Sequence, residues 1–156
     1  MVVYFIFLLL SFLWLIILML GSYLQAHGFQ NNVIVTLYYS LFKLICHQLP
    51  ERSYFIWDYQ MPVCIRCLGI YLGIFAGAII YPLFRKINSI DIPDPKFLIF
   101  FLSPIIIDGI AQTFNLYSSP HYVRLLTGIW ASGGLVFWAL PLLNQFYNKY
   151  RKSIKR

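Results

Sequence analysis

Four long runs of apolar residues follow one another along the chain, separated by more polar segments. They cover about residues 2–20, 64–84, 97–114 and 123–147. Each run is close to, or longer than, the roughly 20 residues that an α-helix needs to cross a bilayer. The first run lacks the basic leading segment of a signal peptide, so we interpret it as a membrane helix. The pattern predicts an all-α fold: an integral membrane four-helix bundle in which residues 1–156 form a single membrane domain.

A shorter apolar stretch lies between the first and second runs, at about residues 33–47. It is too short to cross a membrane comfortably, and Lys43 interrupts it. Asn32 is a suitable N-cap for a helix that starts there. We therefore expect an additional interfacial or re-entrant helix in the first outer loop. The aromatic residues that follow it are typical of a belt at headgroup level: Tyr54, Phe55, Trp57 and Tyr59.

The composition agrees with a membrane location. Hydrophobic residues make up 60% of the chain and charged residues only 11%, and the mean hydropathy is +0.72. Ordinary soluble domains carry about 25% charged residues. A water-soluble chain of this length cannot bury so much apolar surface, so the lipid bilayer is the expected partner.

The distribution of charge predicts how the chain is oriented. The net charge is +7, and the basic residues gather at the ends of the apolar runs. Eight of the twelve lie between the second and third runs or in the basic tail, residues 148–156, and four lie on the opposite side. Basic residues favour the cytoplasmic side of the cell membrane, so we expect a multi-pass protein with both termini cytoplasmic. The first loop, which holds the three cysteines of the chain, is then external. The chain has no basic stripe with interleaved aromatic residues, so we do not expect nucleic acid as a partner.

Three glycines in the second run recur at every fourth position: Gly69, Gly73 and Gly77. This spacing places them on one face of a helix, where the backbone of a second helix can approach closely. A dimer seam is one interpretation. Packing between helices inside the bundle is the more common use of such a face.

The chain has three cysteines, and all of them lie near the boundary between the first loop and the second apolar run. Cys46 directly precedes His47, and Cys64 and Cys67 form a Cys-x-x-Cys pair. Three thiolates and one imidazole are the ligands of a closed tetrahedral zinc site. We therefore predict a metal site made of Cys46, His47, Cys64 and Cys67. Zinc is the suspected ion, with iron or no metal as the alternatives.

The fourth ligand depends on the direction of His47, because adjacent side chains diverge in a regular helix. Cys46 and His47 can both reach one ion only if the helix ends there, which Pro50 favours. Otherwise Asp108, His27 or water must supply the fourth ligand. A bound water would make the site an open zinc centre suited to catalysis.

Asp108 is the one acidic residue inside a predicted span, and Gln112 lies one helical turn away. A carboxylate within a membrane is costly and is normally paired, and Arg66 or Arg124 can reach it from neighbouring spans. The common role is a salt bridge between helices. The alternative role is a partner of the metal-binding histidine or a proton relay. Arg66 and Arg52 would also offset the negative charge that three thiolates give to a zinc site.

The Cys64–Cys67 pair supports a second function. At a helix N-terminus beside Arg66, the thiolate form of such a pair is favoured. The alternative prediction is a membrane thiol–disulfide oxidoreductase, although such relays normally use two cysteine pairs. A third prediction is a non-catalytic accessory subunit, whose partners would be other membrane subunits. The residues alone do not decide among these functions or whether the protein is an enzyme.

Two blocks of residues make the chain similar to a known family. The first block joins Cys-His-Gln-Leu-Pro-Glu-Arg-Ser at 46–53 to Pro-Val-Cys-Ile-Arg-Cys-Leu-Gly-Ile-Tyr at 62–71. The second block consists of Asp108, Gly109, Gln112, Arg124 and Gly128. In these residues the chain resembles domain of unknown function 2085, a family of small predicted membrane proteins. The resemblance implies that the two blocks form one site, and it implies no particular activity.

Overall fold

The computed structural model describes residues 1–29, 32–114 and 116–154. In chain order the helices of this described part are α1 Val2–Ala26, α2 Val33–Lys43, α3 Ile65–Phe84, α4 Pro95–Thr113 and α5 His121–Ile154. The strands are β1 Ser53–Ile56 and β2 Tyr59–Cys64, and a 3-10 turn at Pro50–Arg52 precedes them. The last two basic residues of the predicted tail, Lys155 and Arg156, lie outside the described ranges.

Four of these helices are long and apolar enough to cross a membrane: α1, α3, α4 and α5. This confirms the predicted all-α membrane fold. Two helices are longer than their apolar runs, since α1 continues to Ala26 and α5 continues to Ile154. A helix ends where the backbone loses its hydrogen bonds, and a loss of hydropathy alone does not end it.

The additional helix in the first loop is also present, as α2. Its N-cap is Asn32, whose side chain accepts a hydrogen bond of 2.8 Å from the backbone N–H of Ile34. The helix has 11 residues, fewer than the predicted stretch, because the chain turns after Lys43. Its position relative to a bilayer stays a prediction.

The N-terminus and the second half of α5 lie at the same end of the bundle. The terminal amine of Met1 donates a hydrogen bond to Asn88 in the loop between α3 and α4. From α5, the Asn144 side chain donates to the carbonyls of Ile87 and Ser89 in the same loop, at 2.9 and 3.0 Å. The strands and the cysteines lie at the opposite end. Which end faces the cytoplasm remains a prediction from charge.

The glycine face of α3 packs against α5 of the same chain. A Cβ atom added at Gly69 would lie 2.4 Å from the carbonyl oxygen of Leu125, and one at Gly77 would lie 2.8 Å from that of Gly133. Both distances are far below van der Waals contact. The glycines therefore allow close packing inside the bundle, which is the second of the two sequence interpretations.

The segment predicted as an aromatic belt folds into an antiparallel hairpin of β1 and β2. Phe55 pairs with Gln60, and Ile56 pairs with Tyr59. The turn residues Trp57 and Asp58 have φ angles of 53° and 63°, as a two-residue turn with both central residues left-handed requires. The hairpin leads directly into α3. It places the N-terminus of α3 beside the end of α2.

Candidate metal centre

The three cysteines meet at the hairpin end of the bundle, although they come from different elements. Cys46 follows the end of α2, Cys64 closes β2 and is the N-cap of α3, and Cys67 lies in the first turn of α3. Their sulfur atoms all lie within 4.8 Å of one another. Three sulfurs bound at ~2.3 Å to a tetrahedral ion would be about 3.8 Å apart. Small side-chain rotations would therefore bring all three onto one ion.

Cys46 is the most enclosed of the three, with 5% of its surface exposed. Hydrogen bonds from the thiols of Cys64 and Cys67 lower the pKa of Cys46, and backbone N–H groups of Gln48 and Cys64 act in the same direction. Burial opposes this effect but is the weaker influence. The thiolate is therefore the favoured form of Cys46. Its apolar surroundings are formed by Leu18, Phe42, Met61, Val63 and Leu68.

The structure does not bring His47 to the sulfurs. Its side chain is exposed, and the group of potential metal ligands contains the three cysteines without it. The reason is local, because Cys46 turns inward at the end of α2 and the next side chain points outward. Gln48 then adopts a left-handed φ of 49°, which redirects the chain toward the hairpin. In this geometry the three cysteines come together and His47 lies apart from them.

The other candidates for a fourth protein ligand are engaged elsewhere. His27 is hydrogen-bonded through Nδ1 to the carbonyl of Tyr23 at 2.9 Å. Asp108 forms an ion pair with Arg66. Among the described residues, neither joins the sulfur group. The described residues therefore bring three sulfurs together and no fourth histidine or carboxylate ligand.

Asp108 is the centre of a polar network that links α3 to α4. Only 4% of its side chain is exposed. Arg66 donates to Oδ2, Gln112 donates to the same oxygen at 2.8 Å, and the hydroxyl of Tyr117 donates to Oδ1 at 2.5 Å. Tyr117 carries no signal in the sequence, because it lies beyond the helix in a loop without a recognisable motif. The network fixes Arg66, and with it the turn of α3 that carries Cys67.

Arg124 is buried next to this network at the start of α5, with 8% of its surface exposed. It lies within electrostatic range of Arg52, Arg66, Asp108 and Cys64. In the described residues it makes no ion pair, and its Nε has no hydrogen-bond partner. Arg52 and Arg66, the other two arginines expected near the site, therefore both lie within electrostatic range of Arg124.

Two glutamines that the sequence analysis did not assign to the site hold the cysteine loop in place. The side chain of Gln48 donates to the carbonyls of Tyr39 and Pro62, at 2.9 and 2.8 Å. The side chain of Gln60 donates back to the carbonyl of Gln48 at 2.6 Å. These bonds tie α2 and its following loop to β2, so they position Cys46 against Cys64. Gln48 belongs to the first sequence block, which was the available signal.

Comparison with known proteins places this site in a family. A family model described as a predicted membrane protein, DUF2085, matches residues 46–138. This range is more than half of the chain. The chain belongs to the DUF2085 family. The range that matches DUF2085 contains the three cysteines, Asp108 and Arg124.

Similar proteins carry no named function. An uncharacterised protein of Methanocaldococcus jannaschii is 37% identical over 153 residues, which cover 95% of this chain and 98% of the relative. An uncharacterised protein of Methanothermobacter thermautotrophicus is 35% identical over 96 residues, 60% of this chain and 83% of the relative. No solved structure matches the chain.

Proposed function

We propose that this DUF2085 membrane protein binds one metal ion, with zinc preferred, through Cys46, Cys64 and Cys67. The fourth coordination position is open to water or to an external ligand. The observation that carries the proposal is the convergence of three sulfurs within 4.8 Å, although Cys46 is 18 residues away from Cys64 in the chain. If the cysteines only filled the core as small apolar residues, there would be no reason for them to converge in this way.

The chemistry of the donors favours this function. Thiolates are soft ligands that select zinc, copper(I) or iron–sulfur chemistry over magnesium and calcium. The backbone N–H of Cys64 donates to the sulfur of Cys46, and such outer hydrogen bonds stabilise and orient a thiolate ligand. An ion held by three protein ligands keeps a position where zinc can activate water or polarise a substrate. This chain's residues would hold and orient the ion and limit the access of water from the apolar side.

Metal analysis of the purified protein tests the proposal. We expect close to one zinc ion per chain, and a loss of most of it in Cys46→Ser, Cys64→Ser and Cys67→Ser. His47→Ala is the matched control, because His47 is adjacent but exposed and should leave the metal content unchanged. Less than about half an equivalent of zinc and iron together in the unmodified protein would refute metal binding. Loss of metal in His47→Ala would instead support the closed four-ligand site that the sequence predicts.

A thiol–disulfide oxidoreductase is the second candidate, favoured by the lowered pKa of Cys46 and its closeness to the other thiols. A thiolate would attack a disulfide of a partner protein and form a mixed disulfide. A second thiolate of the cluster would then release the partner's dithiol and leave a disulfide on this chain. Alkylation distinguishes the two functions. Thiols protected by a metal become reactive after chelation, whereas an oxidised pair becomes reactive only after reduction.

We propose further that the metal centre faces the outside of the cell. The charge asymmetry supports this orientation. In a variant whose native cysteines are serines, Ser118→Cys would mark the cysteine end and Asn148→Cys the opposite end. Both positions are exposed. A membrane-impermeant maleimide added to intact cells should label only the first, and labelling of only the second would reverse the orientation.

A further inference from the structure

The buried guanidinium of Arg124 is the feature that the proposed metal centre does not explain. Arg124 is more than nine-tenths buried and its Nε has no hydrogen-bond partner. In the described part of the chain, the ion pair between Arg66 and Asp108 is the only one, so no carboxylate pairs with Arg124. A buried cation without a partner is strongly unfavourable unless a ligand completes its surroundings.

Charge is unbalanced around this side chain. Arg52, Arg66 and Arg124 contribute three positive charges and Asp108 one negative charge, which leaves an excess of two. A divalent ion with three thiolates carries one negative charge and leaves an excess of one positive charge. The nearby carboxylate of Glu51 is exposed to solvent, which screens it. An anion is therefore the ligand that this group of three arginines lacks.

The backbone brings the two inner arginines to one place. A Cβ atom at Gly128 would lie 2.7 Å from the carbonyl oxygen of Arg66, and one at Gly69 would lie 2.4 Å from that of Leu125. The first two turns of α3 and of α5 are therefore in direct contact, and each pair of turns carries one of the arginines. The positive ends of both helix dipoles point toward the same region and add to its attraction for an anion.

The loop before the hairpin contributes the third arginine, Arg52, to the same region. The ring of His121, the first residue of α5, is hydrogen-bonded to the carbonyl of Glu51 at 3.0 Å and contacts the ring of Tyr54 with 6.1 Å between centroids. This contact holds the 3-10 turn, and therefore Arg52, over the N-terminus of α5. Cys64 lies within range of Arg124, so the arginines adjoin the sulfur centre.

We infer that Arg124, Arg66 and Arg52 bind an oxyanion, such as a carboxylate or phosphate group, next to the open position of the metal centre. This inference rests on the proposed function for the role of the ligand, which would approach the metal with its anionic group held by the arginines. Guanidinium groups match the geometry of carboxylate and phosphate oxygens and can bind them in a bidentate manner.

Inorganic phosphate is the probe for this site, added to the metal-loaded full-length protein in a neutral detergent. We expect a saturable rise in melting temperature, with an apparent affinity at least roughly tenfold weaker in Arg124→Gln. Arg52→Gln changes an exposed residue and should also weaken binding without affecting folding. Lys149→Gln, an exposed basic residue at the other end of the bundle, is the matched control. No saturable response in the unmodified protein, or equal affinity in Arg124→Gln and Lys149→Gln, overturns the inference.

Two further arms separate the possible outcomes. Nanodiscs of phospholipid compared with the phosphate-free neutral detergent test whether the phosphate of a headgroup occupies the site, because prior occupation would abolish the response to free phosphate only in the nanodiscs. Metal content is measured on the same samples. Normal metal content without any phosphate response refutes the oxyanion site alone. A phosphate response without bound metal refutes the proposed function and leaves the oxyanion site standing.

Discussion

The backbone N–H of Cys64 donates a hydrogen bond of 3.1 Å to the sulfur of Cys46. This bond joins the residue that starts α3 to the loop that follows α2. Cys64 is also paired with Ser53 across the hairpin, so one residue connects the sheet, the loop and a membrane helix. The position of the sulfurs therefore depends on tertiary structure at the end of the bundle, and binding of an ion should in turn stabilise that structure.

Removal of the metal should lower the stability of the protein. The three ligands belong to separate elements, so an ion that binds them together binds the folded state in preference to the unfolded one. We expect treatment with a chelator to lower the melting temperature by about 5 °C or more, and added zinc to restore it. Thermal unfolding in detergent measures this. Cys46→Ser should respond to neither treatment, and an equal response in that variant would contradict the metal centre.

Asp108→Asn should destabilise the protein by about 3 kcal/mol, because it leaves the guanidinium of Arg66 without its counter-charge in a largely buried network. The side chain of Arg66 is 27% exposed, which keeps the effect at the lower end of what buried pairs show. Reversible denaturation in mixed micelles measures the free energy of unfolding. The matched control is Asp91→Asn, an exposed carboxylate in the loop before α4, which should change stability little.

A double variant separates the ion pair from the other bonds of Asp108. If the unpaired charge is the main cost, Asp108→Asn combined with Arg66→Gln should recover part of the lost stability. Additive losses in the double variant would mean that Gln112 and Tyr117, and not Arg66, account for the effect.

Much of the architecture could be predicted from the sequence, but the hairpin could not. Four apolar runs of sufficient length specify membrane helices with little ambiguity. The segment from Ser53 to Cys64 gives a weaker signal, because its turn residues are Trp57 and Asp58, where Asn-Gly would have marked a two-residue hairpin. Its aromatic residues suggested a headgroup belt, and the same residues are equally suited to strands.

In the candidate site, too, the sequence predicts the features that follow from position along the chain and does not predict those that depend on tertiary structure. The convergence of the three cysteines could be expected, because all of them lie near one membrane boundary. The direction of His47 depends on the single turn that ends α2, which spacing does not specify. The bonds made by Gln48 and Tyr117 depend on loops whose conformation only the folded chain defines.

Asp58→Gly should stabilise the hairpin by about 0.5–1 kcal/mol, because glycine adopts a left-handed backbone without the cost that other residues incur. Asp58 has a φ of 63° and an exposed side chain that makes no hydrogen bond to the described residues. Asp58→Val should have the opposite effect, since a β-branched residue is strained at this φ. Melting temperatures of the two variants should lie on either side of that of the unmodified protein. The same order for metal retention during chelation would link the turn to the sulfur centre.

Gly69→Ala should reduce both stability and metal content. Its new methyl group would lie 2.4 Å from the carbonyl oxygen of Leu125, so α3 and α5 must separate at the turn that carries Cys67 and Arg66. Overpacking of this kind costs about 1–3 kcal/mol, and separation of the helices displaces a metal ligand. Gly109→Ala is the matched control, because it is also a helical glycine and a Cβ there has no neighbour within 4 Å. The control should keep its metal and gain up to roughly 1 kcal/mol from helix propensity. Unfolding and metal analysis on the same two samples decide the question, and full metal content in Gly69→Ala would show that the sulfur centre does not depend on the contact between α3 and α5.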